Sequence, residues 1–140
     1  MDKRKILVID DEPAFTNMLR LNLERTGVYT VREQNRARGA VAAAREFRPD
    51  LILLDVIMPE LDGGTVAALM GRDPELSHIP IVLLTAAVSS RESGAEGLES
   101  GGYLFLSKPI ALQRLIHCIE ANLGGHAPAP TRRGPIANAG

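Results

Sequence analysis

The sequence predicts a doubly wound α/β domain, in which five helices cover the two faces of a five-stranded parallel sheet. Short apolar runs recur along the 140-residue chain, and amphipathic helical stripes separate them. The runs do not alternate apolar with polar residues, which is typical of strands buried on both faces of a parallel sheet. Strands that alternate with helices favour the doubly wound class, with helices on both sides of the sheet.

Five apolar runs are the predicted strands. Four of them are unbroken and predict buried strands, at 6–9, 51–54, 81–84 and 103–106. The weaker run at 28–31 includes a threonine and is better suited to an edge strand.

Helical periodicity fills the intervals between the runs. The predicted stripes are Phe15, Met18, Leu19 and Leu23; Ala37, Ala40, Val41, Ala44 and Phe47; Val66, Leu69 and Met70; and Leu112, Leu115, Ile116, Ile119 and Leu123. Gly27 and Pro49 can end the first two helices, and Asp62 can cap the third. A further helix at about 89–100 is weakly encoded, because each glycine in it costs about 1 kcal/mol relative to alanine. We expect it to be the most mobile element.

Composition excludes several classes of protein. The net charge is −1, so no overall field points to nucleic acid or to an anionic membrane. Apolar stretches fall far short of the roughly 18 residues that a membrane span needs. The single cysteine, Cys118, lies within an apolar stripe and is predicted to be a core residue of a cytoplasmic protein. Residues 1–123 are predicted to form one domain, and 124–140 a disordered tail or the start of a linker.

Chemically active side chains follow the predicted strands. Asp10 and Asp11 follow the first run, Asp55 follows the run at 51–54, Thr85 follows the next, and Lys108 comes after the last. Because ligands of doubly wound sheets bind at the carboxyl ends of the strands, we expect these side chains to share one edge.

An acidic cluster of this kind requires a cation. Two carboxylates 4 Å apart repel by about 4 kcal/mol at an effective dielectric constant of 20. Their hard oxygen atoms favour Mg²⁺ or Mn²⁺ over zinc or copper. With Lys108 and the Thr85 hydroxyl to receive phosphate oxygens, Asp55 is the natural nucleophile for phosphoryl transfer, forming an acyl phosphate.

These residues lie in segments that resemble the receiver domain of bacterial two-component response regulators, of the chemotaxis-regulator type. The matching segments are 8–12, 55–63, 84–86 and 108–109, in family order, within a resemblance that covers about residues 4–123. It implies a flavodoxin-like fold with strand order 2-1-3-4-5.

The resemblance also implies roles for individual residues. Asp55 would be the phosphoacceptor, and Lys108 would contact the phosphoryl group through a loop with a cis Lys108–Pro109 peptide bond. Asp11 would bind Mg²⁺ directly and Asp10 through water, and the main-chain carbonyl of Ile57 would be a further ligand.

A switch is implied as well. In the family, the threonine corresponding to Thr85 moves toward the phosphoryl group and the aromatic residue at position 105 swings inward, which remodels the surface of the fourth helix, fifth strand and fifth helix. Phe105 lacks the hydroxyl of the tyrosine common at that position, and Ile57 is apolar where many relatives are polar.

The implied partners are proteins. A sensor histidine kinase or a histidine phosphotransfer protein would donate the phosphoryl group, with the first helix as the docking face. A downstream effector or an output domain would read the switch, with no direct contact to nucleic acid or membrane, and a phosphorylation-dependent dimer is left open. Activity would be limited to self-catalysed phosphoryl transfer and autodephosphorylation.

Three alternatives stand beside this interpretation. A haloacid dehalogenase-type phosphohydrolase needs an acid two residues after its nucleophile, where this chain has Ile57. A flavin- or nucleotide-binding module needs glycines in the first loop, where this chain has Asp10, Asp11 and Glu12. A degenerate receiver would lack part of the acidic set or the lysine, and all of them are present.

Overall fold

The sheet has six strands, in a computed structural model that describes residues 2–86, 98–100 and 103–123. The strands are β1 (Arg4–Ile9), β2 (Tyr29–Gln34), β3 (Leu51–Asp55), β4 (Ile81–Thr85), β5 (Leu98–Ser100) and β6 (Tyr103–Ser107). Their order across the sheet is β2-β1-β3-β4-β6-β5. All neighbouring pairs are parallel except β5 with β6, so the five predicted strands and their order are confirmed.

The short antiparallel strand β5 corrects one prediction. Residues 98–100 were expected to end a helix, but they pair with β6 along the outer edge of the sheet. The backbone groups of an edge strand are open to such pairing, and the helix signal of this segment was weak. The rest of the predicted helix, 89–97, lies outside the described residues, as does the predicted tail at 124–140.

Four α-helices are described: α1 (Pro13–Arg25), α2 (Ala40–Phe47), α3 (Gly63–Gly71) and α4 (Leu112–Leu123), with a 3₁₀ turn at Ala37–Gly39 before α2. Gly27 has φ of 86° just beyond α1, a conformation that glycine adopts without strain. Asp62 caps α3 as predicted, because its Oδ1 accepts a hydrogen bond from the Thr65 N–H at 2.8 Å. In the part of the chain that is described, no helix combines the length and the apolar character that crossing a membrane requires.

Both faces of the sheet are buried along β3, β4 and most of β1, whereas β6 is mostly half-buried, so the run at 103–106 is less buried than predicted. Leu7, Ile9, Ile52, Leu54 and Leu83 pack with apolar residues of α2 and α3.

The residues that alternate with these in the same strands, among them Ile6, Val8 and Leu53, pack with α1 and α4 on the other face. This double burial explains the unbroken apolar runs. Cys118 of α4 is buried as predicted, and burial raises the pKa of its thiol to about 12, which keeps it protonated and unreactive.

Candidate functional site

Three aspartates meet at the carboxyl edge of the sheet. Ile9 of β1 lies beside Leu54 of β3, so Asp10 and Asp55, one residue further on, are neighbours. Carboxylate oxygens of Asp10, Asp11 and Asp55 all lie within 4.8 Å of one another. Asp10 and Asp55 are buried and Asp11 is more exposed, so the cluster opens to solvent on one side.

Lys108 brings a positive charge into this cluster. Its Nζ lies 2.7 Å from Asp10 Oδ2 and 3.4 Å from Asp55 Oδ1, with Glu12 Oε1 further away at 3.8 Å. The ammonium also lies 4.3 Å from the centroid of the Phe15 ring, a distance suited to a cation–π contact. Sequence reasoning paired the lysine with Asp55, and the structure adds Asp10 as its nearer partner.

The loop after β6 fixes where Lys108 leaves the backbone. Its main-chain N–H donates to the Thr85 carbonyl oxygen at 2.9 Å, which ties this loop to the end of β4. The Lys108–Pro109 peptide bond is cis, as the resemblance implies.

The ionisation of Asp55 shows the cost of this crowding. Burial, and after it the charge of Asp10, raise the pKa of Asp55 to about 6, against the opposing effect of Lys108. Burial lowers the pKa of Lys108, but the hydrogen bond and charge of Asp10 and the charge of Asp55 outweigh it, so the net shift is upward. Lys108 is therefore a permanent cation, and the three aspartates leave two negative charges that it does not balance.

The residues present fit a hard divalent cation. Carboxylate oxygens within reach of one another, with two unbalanced charges, are a suitable donor set for Mg²⁺, which takes one or two carboxylates and keeps several waters. Both oxygens of Asp10 already accept hydrogen bonds, Oδ1 from the Glu12 N–H at 3.0 Å and Oδ2 from Lys108. Asp10 is therefore better placed to act through water, while Asp11 and Asp55 are the direct candidates.

The loop between β3 and α3 folds back onto Asp55. The Gly63 N–H donates to the Val56 carbonyl oxygen at 2.7 Å, and a Cβ at position 63 would lie 2.4 Å from the Asp55 carbonyl oxygen. Only glycine fits so close an approach, so Gly63 packs directly against the main chain of Asp55. Ile57, in the same loop, has an exposed side chain. Sequence reasoning assigned 62–63 to loop geometry, and the structure supplies the reason.

The two predicted switch residues lie in neighbouring strands. Thr85 is the buried last residue of β4 and lies beside Ser107, one position beyond the pair formed by Leu84 with Asp55. Phe105 lies in β6 beside Leu83, and its partly buried side chain packs against the core on the α2–α3 face. Thr85 is therefore at the edge of the acidic cluster, whereas Phe105 is two strand positions below it. Their roles in switching stay predictions.

Sequence reasoning missed two polar residues, Asn35, which contacts the main chain of Asp10, and Thr16, which contacts Asn35. Asn35 comes directly after β2, and Thr16 is a fully buried residue of α1. The Asn35 amide nitrogen donates to the Asp10 carbonyl oxygen at 2.8 Å and to Thr16 Oγ1 at 2.9 Å. The same strand-end rule locates Asn35 only from the structure, because β2 runs to Gln34, three residues beyond the predicted end of the edge strand.

Comparisons with known proteins agree with this arrangement. A family model described as the response regulator receiver domain matches residues 6–120. The polar-differentiation response regulator DivK of Brucella anthropi is 34% identical over 122 residues, which cover 86% of this chain and 97% of DivK.

A longer relative and a solved structure add to this. The DNA-binding dual master transcriptional regulator RpaA of Synechocystis is 34% identical over 119 residues, 85% of this chain, which spans about half of that protein (48%). The crystal structure of a putative response regulator from Chloroflexus aurantiacus superposes with a TM-score of 0.75 at 29% identity, covering 88% of this chain and 99% of that one.

The fold and the acidic edge together define an α/β signalling domain with a flavodoxin-like sheet. The chain belongs to the response regulator receiver domain family, which serves two-component phosphorelay signalling. Nothing in these comparisons supports the phosphohydrolase alternative.

Proposed function

We propose that this chain is a Mg²⁺-dependent receiver that takes a phosphoryl group onto Asp55 from a histidine kinase or a histidine phosphotransfer protein. The observation that carries the proposal is the buried carboxylate of Asp55 at the end of a central strand. It lies within 4.8 Å of the oxygens of Asp10 and Asp11 and 3.4 Å from Lys108 Nζ.

Each side chain has a task in the transfer. An Asp55 oxygen attacks phosphorus, the bond from phosphorus to the donor nitrogen breaks, and an acyl phosphate forms on Asp55. Asp11, Asp55 and the Ile57 carbonyl would hold Mg²⁺, and Asp10 would act through water. When bound, Mg²⁺ supplies positive charge to the phosphoryl oxygens.

The remaining charge comes from the chain itself. Lys108 is shared between Asp10 and Asp55 at rest, so its ammonium is already beside the oxygens of the arriving group. The hydroxyl of Thr85 is proposed to bind a further phosphoryl oxygen. Movement of Thr85 and Phe105 would then carry the signal to the surface that includes β6 and α4, which are the fifth strand and fifth helix of the family.

The proposed activity ends with the phosphorylated protein and includes no sustained turnover of an added substrate. Position 57 carries an exposed isoleucine, so it offers no acid or base beside the acyl phosphate. Activity would therefore be limited to self-catalysed phosphoryl transfer and autodephosphorylation.

The proposed setting is the cytoplasm, with protein partners. The donor would dock on α1, and an effector or an output domain would read the switch without direct contact of this domain to nucleic acid or membrane. RpaA is named as DNA-binding, and this chain matches about half of it, so an output domain is proposed here by analogy alone.

A phosphorylation assay with a matched pair of variants tests the proposal. Wild-type protein with Mg²⁺ and a small phosphodonor such as acetyl phosphate should gain one hydroxylamine-sensitive phosphoryl group, measured by intact mass. Asp55→Asn should gain none, because an amide is not a nucleophile for this step.

The control is Asp73→Asn, which alters another buried aspartate away from the acidic cluster and should be phosphorylated like wild type. Undiminished incorporation in Asp55→Asn would exclude Asp55 as the acceptor.

A further inference from the structure

A polar cluster connects α1 and the end of β2 to the backbone of Asp10. At its centre is Thr16, whose side chain is fully buried. Its Oγ1 lies 2.7 Å from Glu33 Oε1, to which it donates, and accepts from Asn35 Nδ2 at 2.9 Å. The Pro13 carbonyl oxygen, 3.2 Å from Oγ1, is a second and longer acceptor for the single hydroxyl hydrogen, so the shorter contact to Glu33 is favoured. The buried Thr16 hydroxyl therefore links Glu33 to Asn35.

Asn35 connects the Thr16 hydroxyl to the main chain of the acidic site. One hydrogen of its amide nitrogen is directed to Thr16 and the other to the Asp10 carbonyl oxygen at 2.8 Å. A carbonyl oxygen can only accept, so the amide must present its nitrogen to Asp10. The Asp10 N–H in turn donates to the Gln34 carbonyl oxygen at 3.1 Å, so the peptide groups on both sides of this residue are held by the end of β2.

Glu33 anchors the other end of the cluster. Arg20 Nε donates to Glu33 Oε2 at 2.6 Å. Burial raises the pKa of Glu33, but hydrogen bonds from Thr16, Arg20 and Asn17 outweigh it and the net shift is downward. Glu33 therefore stays an anion that accepts the Thr16 proton, which leaves the lone pairs of Thr16 for Asn35.

The acidic site needs such a restraint. Lys108 offsets only part of the negative charge of the three carboxylates, so without a metal ion the remaining repulsion pushes Asp10 away from Asp55. A backbone held at both of its peptide groups resists that movement and keeps the oxygens close enough to share one ion.

We propose that Asn35, oriented by Thr16, is a positioning residue of the metal site, because it holds Asp10 where Mg²⁺ needs it. The inference rests on the proposed function and adds to it a part of the site supplied by the edge strand. Partners behind metal ligands contribute about 10- to 100-fold in metal affinity in proteins.

Mg²⁺ titration by calorimetry tests this without any phosphorylation readout. Asn35→Leu keeps the approximate size of the side chain and removes the donor, and its dissociation constant should rise about 10-fold. Thr16→Val should weaken Mg²⁺ binding by a few-fold, and Thr16→Ser, which keeps the hydroxyl, should stay within about twofold of wild type.

Tyr29→Phe is the matched control at the other end of β2. It removes the hydrogen bond from the buried Tyr29 hydroxyl to Glu120. It should lose stability in EDTA much as Thr16→Val does, while its Mg²⁺ affinity stays that of wild type.

Three outcomes would overturn the inference: an Asn35→Leu constant within twofold of wild type, equal constants for Thr16→Val and Thr16→Ser, or an equal loss of affinity in Tyr29→Phe. The Thr16 pair decides the matter even if Asn35→Leu does not fold. Absence of Mg²⁺ binding by the wild-type protein is a different result, which would overturn the proposed function itself.

Discussion

Two buried aspartates, at different places in the fold, have pKa values that are shifted in opposite directions by their surroundings. Asp73, in the segment between α3 and β4, receives two hydrogen bonds from Arg45, at 2.9 and 2.6 Å, and a third from the Glu75 N–H at 2.9 Å. The Glu75 hydrogen bond and then Arg45 lower the pKa of Asp73. Asp55, at the carboxyl edge, has Asp10 and Asp11 as neighbours, and burial with their charge raises its pKa to about 6.

The difference separates a structural charge from a functional one. Asp73 has local partners that satisfy it, so its charge stabilises the fold without any ligand. Asp55 shares one lysine with Asp10, so its charge opposes folding until a cation or a proton arrives. A buried acid whose neighbours raise its pKa is therefore the better marker of a binding site.

The pH dependence of stability should differ most clearly between the two aspartates. The folded-state pKa of Asp55, about 6, lies above its ordinary value of 3.8, so the folded state holds the proton more tightly. Without metal, stability should therefore decrease as the pH rises from about 4 to about 6, by roughly 1 to 2 kcal/mol from this residue after solvent screening. Urea unfolding in EDTA should show Asp55→Asn matching wild type near the acidic limit and exceeding it at neutral pH.

Asp73→Asn should show the reverse. The lowered pKa of Asp73 contributes stability that is present above its ordinary pKa and is lost as pH falls. The variant should be less stable than wild type at neutral pH, and the gap should narrow in acid. Equal profiles for the two variants would contradict the comparison.

Metal binding should also distinguish the two aspartates at a fixed pH. Mg²⁺ at about 100 times its dissociation constant should stabilise the wild-type protein by about 2.7 kcal/mol, since it binds the folded state alone. Thermal unfolding with and without MgCl₂ should show the full shift in Asp73→Asn and a much smaller one in Asp55→Asn, which lacks a ligand carboxylate. A full shift in Asp55→Asn would place the metal elsewhere.

Two adjacent glycines test how rigidly the carboxyl edge is built. A Cβ at Gly63 would lie 2.4 Å from the Asp55 carbonyl oxygen, whereas at Gly64 the nearest atom, Asp62 Oδ1, is 3.4 Å away. Gly63→Ala should cost about 2 kcal/mol by overpacking and slow phosphorylation, because the backbone of Asp55 must shift. Gly64→Ala should keep the unfolding free energy, measured by chemical denaturation, and the phosphorylation rate near their wild-type values. A similar loss of stability and phosphorylation rate in both variants would count against the close approach at Gly63.

Much of this molecule could be predicted from local patterns. The unbroken runs at 6–9 and 51–54 predict strands buried on both faces, and Asp10 and Asp55 follow them directly. In a parallel sheet the strand ends lie at one edge, so residue order alone predicts that such side chains gather. The helix cap at Asp62 was predictable because it is also a local feature: the cap and the N–H group that it binds are three residues apart.

Only the tertiary structure decided what those side chains contact. Lys108 binds Asp10, 98 positions away, and Asn35 reaches the same residue from the edge strand; no pattern within a short window contains such pairs. The strand at Leu98–Ser100 likewise depends on the open edge of β6 rather than on its own weak propensity. The sequence by itself determined the five parallel strands and which acids follow them, because periodicity and chain order are local. The raised pKa of Asp55 was decided by folding, because burial and charge separation exist only once distant segments have packed together.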